Sequence, residues 1–212
     1  MIRSFPSSWP PAQNFRQSLP PVPNFDDRGL LPPYIGDDGT TDDRSPYDTT
    51  MTEVVTIFGT TPARRRLLAG LLDYRALLRS LGYDVGIQFV DGSFVENVEA
   101  REGRDPGDID VFSFLQRPDR YSQDAQAWAT QGFPEWQTQI ADQAENKRRF
   151  GLDTYAVAVD QCAIVDTITF TSYWYSLFSH KRVTHDWKGF LRIGLGATDD
   201  AAARALLVTS NA

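Results

Sequence analysis

Two aspartates separated by one residue, Asp108 and Asp110, have the spacing that most directly suggests chemistry. Ile109 and Val111 alternate with them, which is typical of a strand with one apolar face. Successive strand side chains point to opposite faces, so both carboxylates lie on the same face and repel each other. A divalent cation relieves that repulsion, and Mg²⁺ prefers oxygen ligands. The pair therefore predicts a Mg²⁺ site, with Mn²⁺ as the alternative ion.

A Gly92-Ser93 pair precedes these aspartates by a spacer of 14 residues and follows the apolar run of residues 87–90. A Gly-Ser turn between a strand and a short helix can present backbone N–H groups and a hydroxyl to an anion. Such a turn beside paired carboxylates is what metal-assisted phosphoryl or nucleotidyl transfer requires. We therefore predict that Gly92 and Ser93 bind the phosphates of a nucleotide.

A third carboxylate is expected on a neighbouring strand. Asp153 and Asp160 flank the buried strand predicted at Tyr155–Val159, and Asp153 is preferred because it lies where that strand begins. In a two-ion site, Asp108 and Asp110 would bind both ions. Asp153 would bind the catalytic ion and help to activate an attacking hydroxyl. Asp160 stays the competing candidate.

Lys181 and Arg182 follow an aromatic segment predicted to be helical around residues 170–178. Cations at the end of a helix complement its dipole, which is a sufficient structural explanation for them. The functional alternative is a contact with a triphosphate or with RNA phosphates, and we include both residues among the candidate nucleotide-binding residues.

These residues together resemble the nucleotidyltransferase superfamily with the DNA-polymerase-β-like fold. Its pattern is an apolar residue, Gly, then Gly or Ser, a spacer, Asp-apolar-Asp/Glu-apolar, and a later Asp on an adjacent strand. One departure is Asp91, which stands where the pattern prefers an apolar residue. Further segments, Asn24–Pro33, Ser179–Arg182 and Trp187–Gly189, resemble the bacterial DUF6932-like family, which is uncharacterised.

The resemblance implies a Mg²⁺-dependent transfer of a nucleoside monophosphate from a nucleoside triphosphate such as ATP to a hydroxyl of a protein or RNA. A toxin–antitoxin or phage-defence setting is the implied context. The alternative is a catalytically silent nucleotide-binding protein, or one that neutralises a toxin-like partner. Second-messenger synthesis ranks lower, because residues 119–149 offer only two predicted helices for an acceptor-binding domain.

The elements that must position these residues alternate between strand and helix patterns, which predicts an α+β domain with a mixed sheet flanked by helices. The resemblance implies that this domain has a minimal nucleotidyltransferase fold. A helix is expected from Pro62 to about Gly82, helices over 119–130 and 134–149, and an edge strand within 187–195. Residues 1–50 contain nine of the 13 prolines and are predicted to form an extended arm. Residues 51–200 are expected to form the nucleotidyltransferase-like domain, and residues 201–212 a C-terminal tail.

Composition limits the function classes. The chain has 21 Lys and Arg against 28 Asp and Glu, a net charge of −7, which argues against a generic basic nucleic-acid coat. The single Cys and two His exclude a cysteine-rich zinc site and disfavour a histidine one. No apolar run suits a membrane span, and the N-terminus lacks a secretory signal pattern. The expected location is the cytoplasm, without membrane partners.

Overall fold

The computed structural model of the protein describes residues 22–36, 43–196 and 199–209. Its strands are β1 (Tyr47–Thr49), β2 (Gly86–Asp91), β3 (Ile109–Leu115), β4 (Leu152–Ala158) and β5 (Leu191–Gly194). Its α-helices are α1 (Met51–Phe58), α2 (Pro62–Ser80), α3 (Val98–Glu102), α4 (Asp119–Ser122), α5 (Ala125–Ala127), α6 (Phe133–Glu135), α7 (Gln143–Phe150), α8 (Ile164–Phe178) and α9 (Asp200–Thr209). Short 3₁₀ helices span Ser93–Val95 and Val159–Gln161, and π-helical turns span Trp128–Gly132 and Trp136–Ile140.

The strands form one mixed sheet in the order β1-β5-β2-β3-β4. β2 runs antiparallel to both β5 and β3, whereas β4 is parallel to β3 and β1 is parallel to β5. The predicted α+β class with a mixed sheet is therefore confirmed. The predicted edge position of the strand at 187–195 is wrong, because β1 pairs with β5 and encloses it between two neighbours.

Each face of the sheet covers its own apolar cluster. Odd-numbered residues of β3, among them Ile109 and Val111, pack with α1, α2 and α9 in the larger core. Phe112 and Phe114 point the other way and pack with Trp174 of α8 in a smaller aromatic cluster. Because side chains alternate along a strand, Asp110 lies on the aromatic side of the sheet.

Helix α2 follows the sequence prediction closely. The Thr61 hydroxyl accepts a hydrogen bond from the Arg64 amide at 3.2 Å, Pro62 takes the first turn, and Gly82 follows the helix with φ +84°. The boundary between the two helices predicted over 119–130 and 134–149 lies elsewhere in the structure. Helical structure continues from 125 to 140, and the break falls at Asp142, whose carboxylate caps α7 through the Glu145 amide at 3.0 Å.

The predicted N-terminal arm and the predicted C-terminal tail lie partly outside the described residues. Of the predicted arm, residues 1–21 and 37–42 lie outside the described residues; in the rest, Leu30 and Leu31 are fully buried. Of the predicted C-terminal tail, residues 210–212 lie outside the described residues and residues 201–209 belong to α9. Ala203 and Leu207 bury one face of this helix, and Asp200 pairs with buried Arg75 at 2.9 Å. Within the described ranges, no helix combines the length and apolarity that a bilayer crossing demands.

Candidate functional site

Three neighbouring strands bring Asp91, Asp110 and Asp153 side by side at one end of the sheet. In the register of β3 with β4, Asp110 is the partner of Asp153, and in the register of β3 with β2 it is the partner of Asp91. Asp108 directly precedes β3. The sequence prediction that Asp108, Asp110 and Asp153 come from adjacent strands therefore agrees with the register.

The competing carboxylate, Asp160, lies elsewhere. Arg117 binds it twice, with its amide 3.1 Å from Oδ1 and its Nε 2.8 Å from Oδ2. Asp160 follows the far end of β4, seven residues along the chain from Asp153. The structure therefore groups Asp153, and not Asp160, with Asp110.

The carboxylates interact electrostatically. Burial raises the pKa of Asp110 above its ordinary value, and the carboxylates of Asp108 and Asp153 raise it further, while Arg182 and Lys188 lower it. The Arg182 guanidinium is 3.9 Å from the Asp110 carboxylate. Asp110 thus sits in a concentration of negative charge that nearby cations offset only in part.

These aspartates line a cleft of about 340 Å³, which we call the acidic cleft. Every residue predicted for the site reaches it: Gly92, Ser93, Asp108, Asp110, Asp153, Lys181 and Arg182. Lys147, Lys188 and Arg104 contribute further cations, and Leu177, Phe178 and Val183 form an apolar part of the wall. The cleft therefore combines carboxylates, cations and an apolar surface, the groups that a metal-bound nucleotide requires.

Gly92 is required at its position for two reasons. Its φ is +88°, a conformation that side chains disfavour, and a Cβ there would lie 2.7 Å from Oδ2 of Asp110. The turn and the second aspartate of the pair are therefore in direct contact. A glycine lets the Ser93 segment approach the carboxylates closely.

A buried lysine from the segment predicted to be an edge strand lies beneath this turn. Lys188 is 3 % exposed, and its Nζ is 2.9 Å from Glu96 Oε1, 3.0 Å from Asp91 Oδ1 and 3.2 Å from the Gly92 carbonyl. Burial raises the pKa of Asp91 to about 7, although Lys188 opposes that shift. Asp91, the unusual acidic residue before Gly92, could have indicated this lysine in the sequence, because a buried carboxylate requires a partner.

The same turn is held from its other side by Arg64. Its guanidinium binds Glu99 (Nε–Oε1, 2.6 Å) and donates to the carbonyls of Phe94 at 2.7 Å and Glu96 at 2.5 Å. Arg64 is 2 % exposed and fixes the segment after Ser93.

Cations surround the predicted carboxylates. Lys147 of α7, a residue the sequence analysis missed, places Nζ 2.7 Å from Oδ2 of Asp108. Lys181 lies 3.4 Å from Glu102 and 3.7 Å from Glu96, and the Arg182 side chain is 74 % exposed. Lys181 is therefore held at the wall of the acidic cleft, whereas Arg182 extends into solvent beside Asp110.

The donor set suits a hard divalent ion by its chemistry. Asp108, Asp110 and Asp153 supply only oxygen ligands, and such an ion would relieve the repulsion that adds to burial in raising the pKa of Asp110. In the part of the chain that the structure describes, no three Asp, Glu, His or Cys side chains already stand as a metal-ligand group. Lys147 and Arg182 engage the carboxylates instead, so an ion would have to displace the Lys147 ammonium from Asp108.

Comparison with known proteins identifies the family. No curated protein matches the chain, and no solved structure matches it. The family of unknown function DUF6932 matches residues 23–194, a span that contains the sheet from β1 to β5 and every residue of the acidic cleft. The chain therefore belongs to the DUF6932 family.

Proposed function

We propose that the protein is a divalent-metal-dependent nucleotidyltransferase with the minimal nucleotidyltransferase fold. The observation that carries this proposal is the convergence of Asp108, Asp110 and Asp153 in one cleft with the Gly92-Ser93 turn. Adjacent carboxylates beside a turn and several cations are suited to holding a metal-bound triphosphate.

In this proposal Asp108, Asp110 and Asp153 hold Mg²⁺, most simply as two ions. Bound Mg²⁺ would neutralise phosphate charge and lower the pKa of an attacking hydroxyl. Gly92 and Ser93 contact the phosphates, and Lys181 and Arg182 offset the charge of the departing group. Lys188 and Arg64 do not touch the nucleotide; they hold the turn in place.

The reaction moves a nucleoside monophosphate from a nucleoside triphosphate to an acceptor hydroxyl. The hydroxyl oxygen forms a bond to the α-phosphorus, while the bond from the α-phosphorus to the oxygen bridging to the β-phosphorus breaks. Pyrophosphate leaves with that bridging oxygen and its electron pair. The hydroxyl proton passes to the Asp153 carboxylate and from there to water, so no further reactant is needed.

The test is transfer of label from each of the four α-³²P-labelled ribonucleoside triphosphates, with Mg²⁺ or Mn²⁺ and cell extract as the source of acceptor. We expect the wild type to label a macromolecule and the Asp108→Asn/Asp110→Asn variant to give no label above background. The control is Asp73→Asn, which alters only an exposed ion pair with Arg204. Labelling that the double variant retains, or no labelling by wild type with any nucleotide, would contradict the proposal.

The second candidate is a silent nucleotide-binding protein that neutralises a partner. The contact of Lys147 with Asp108 at 2.7 Å favours it, because a lysine there supplies the positive charge that an ion would otherwise supply. Calorimetric titration with ATP separates the two functions. A silent site would bind ATP equally with and without Mg²⁺ and release no pyrophosphate, whereas the transferase would require Mg²⁺.

A further inference from the structure

The backbone around Lys147 is fixed, although the end of its side chain is not. Asn146 is buried, and its Nδ2 donates to the Ile140 carbonyl at 3.0 Å and to the Thr154 hydroxyl at 2.9 Å. At the end of α7, the Gly151 amide donates to the Lys147 carbonyl at 3.0 Å in a left-handed cap. The Lys147 side chain, in contrast, is 56 % exposed on a flexible four-carbon stem. Its backbone is therefore held against β4, while its ammonium can change partners.

Close packing of α7 against α2 fixes where this helix ends. Gly70 of α2 lies so near that a Cβ there would be 1.9 Å from the Phe150 carbonyl oxygen. The carbonyl of the next residue, Gly151, accepts a hydrogen bond at 3.3 Å from the amide of Ile109, which separates the two aspartates of the pair. The helix α7 therefore ends against both α2 and β3, which places its last turn beside the acidic cleft.

The Lys147 ammonium contacts a candidate metal ligand directly, because its Nζ is 2.7 Å from Oδ2 of Asp108. The hydrogen bond with Asp108 raises the pKa of this ammonium above its ordinary value, and the carboxylates of Asp153 and Asp110 raise it further. All three aspartates therefore attract the ammonium. Lysine and a divalent ion would compete for the same carboxylate oxygen.

The other carboxylates that line the acidic cleft have their own cations. The Lys188 ammonium is 3.0 Å from Asp91 and 2.9 Å from Glu96, and Nε of Arg104 is 2.8 Å from Glu102. Among the described residues that line the cleft, an ammonium displaced by an ion would therefore find no carboxylate without a cation, apart from the three aspartates. The remaining anion for it is the phosphate of a bound nucleotide.

We propose that Lys147 is a further nucleotide-binding residue, which neutralises Asp108 in the free protein and moves its ammonium to the phosphates when ion and nucleotide bind. This inference rests on the proposed function, because it requires Asp108 to be a metal ligand. Its consequence is cooperative binding. The lysine opposes the ion in the free protein, and the nucleotide gives the displaced ammonium a new partner.

A lysine that stays on Asp108 predicts different behaviour. A fixed cation weakens ion binding and strengthens nucleotide binding, but each effect is independent of the other, so the cooperativity between the two ligands is unchanged. Exchange of one ammonium between two partners makes the two affinities depend on each other. The cooperativity is therefore the quantity that distinguishes exchange from a fixed charge.

The experiment measures Mn²⁺ affinity by electron paramagnetic resonance, with the full-length protein alone and with an ATP analogue that cannot be cleaved between the α- and β-phosphates. Lys147→Met should fold, because the side chain is largely exposed. Without the analogue this variant should bind Mn²⁺ roughly fivefold more tightly than wild type, because the ion no longer has to break an exposed ion pair. With saturating Mn²⁺ it should bind the analogue about tenfold more weakly, because a charge-assisted phosphate contact is lost.

The coupling factor is the ratio of the Mn²⁺ dissociation constants without and with the analogue, corrected for Mn²⁺ on the free analogue. It should be about fourfold smaller in Lys147→Met than in wild type. The matched control is Arg148→Met, which removes a cation from the next position of α7 but breaks only an exposed contact with Glu145. This control should change neither the Mn²⁺ affinity nor the coupling factor.

The remaining outcomes separate this inference from the proposed function. Unchanged Mn²⁺ affinity or an unchanged coupling factor in Lys147→Met would overturn the exchange, and so would equal effects of Arg148→Met. In each of these cases Mn²⁺ binding by the wild type leaves the metal site and the proposed function intact. Absence of Mn²⁺ binding in both wild type and Lys147→Met, with and without the analogue, would contradict the proposed function as well.

Discussion

Asp110 of β3 is the register partner of Asp153 of β4, and the two carboxylates come from parallel strands 43 residues apart in sequence. Parallel neighbours need a crossover between them, and here residues 116–151 supply it with the helices from α4 to α7. The last of these, α7, carries Lys147, which contacts Asp108. One crossover therefore both aligns the aspartates and supplies a cation to them.

The first prediction separates the two candidate third carboxylates. Asp153→Asn should lower the rate of nucleotide transfer by roughly 10²-fold or more, because in the proposed reaction Asp153 is a metal ligand and the proton acceptor. Asp160→Asn should leave the rate near wild type and lower stability instead, because it breaks the contact with buried Arg117. Initial rates and urea unfolding of both variants provide the check. The opposite order of rates would refute the assignment.

The second prediction concerns the turn. Gly92→Ala should cost about 1–3 kcal/mol of stability, because alanine is strained at φ +88°. It should also reduce nucleotide binding, because the new Cβ would force the turn and the Asp110 carboxylate apart. Gly107→Ala is the matched control, since a Cβ at that glycine meets nothing within 4 Å. Calorimetric titration with ATP should distinguish the two variants. Equal affinity of both variants for ATP would refute the close approach of the turn to the Asp110 carboxylate.

The third prediction concerns the buried lysine. Lys188→Met should destabilise the protein by about 3–5 kcal/mol, because it removes the cation that contacts the buried carboxylate of Asp91 and takes one cation from the buried carboxylate of Glu96. Lys147→Met should change stability far less, because Lys147 is 56 % exposed and its ion pair is screened by solvent. Urea unfolding at neutral pH measures both. Similar small losses in the two variants would show that Lys188 does not hold the turn.

The fourth prediction is a pH dependence. The hydrogen bond from Arg64 lowers the pKa of Glu99 below its ordinary value of 4.5, although partial burial opposes the shift. A lowered folded-state pKa contributes stability that is present above the unfolded value and is lost as pH falls through the folded value. The stability difference between wild type and Glu99→Gln should therefore be constant above about pH 5.5 and shrink below pH 4.5.

A second glutamate provides the control for this pH dependence. Arg148 also lowers the pKa of Glu145, but this pair lies in solvent on α7. Glu145→Gln should therefore show little change in stability across the same range. A difference for Glu99→Gln that stays constant down to pH 3 would contradict the assigned role of Arg64.

The parts of the fold and site that depend on local sequence pattern could be predicted. Alternation around Asp110 placed its side chain on one strand face, and Thr61-Pro62 located the start of α2, because both depend on a few adjacent residues. The choice of Asp153 over Asp160 followed from its place at the start of a strand. These features needed no knowledge of distant contacts.

Features that depend on tertiary pairing were not predictable in this way. Lys188 lies on a segment that resembles an exposed edge, and only the addition of β1 beside β5 makes that strand internal. Arg64 occupies the first turn of a helix, where a solvated cation is expected, yet Glu99 and two carbonyls enclose it. The contact of Lys147 with Asp108 joins residues 39 positions apart, which no periodicity reveals.

The most direct measurement of the central claim is a Mn²⁺ titration by electron paramagnetic resonance, with an ATP analogue that cannot be cleaved between the α- and β-phosphates. The wild type should bind about two ions per chain in the presence of the analogue. Asp73→Asn should bind as the wild type, and Asp108→Asn/Asp110→Asn should bind no more than the free analogue does. If the wild type also binds no more Mn²⁺ than the free analogue, the three aspartates are not a metal site and the proposed transferase is contradicted.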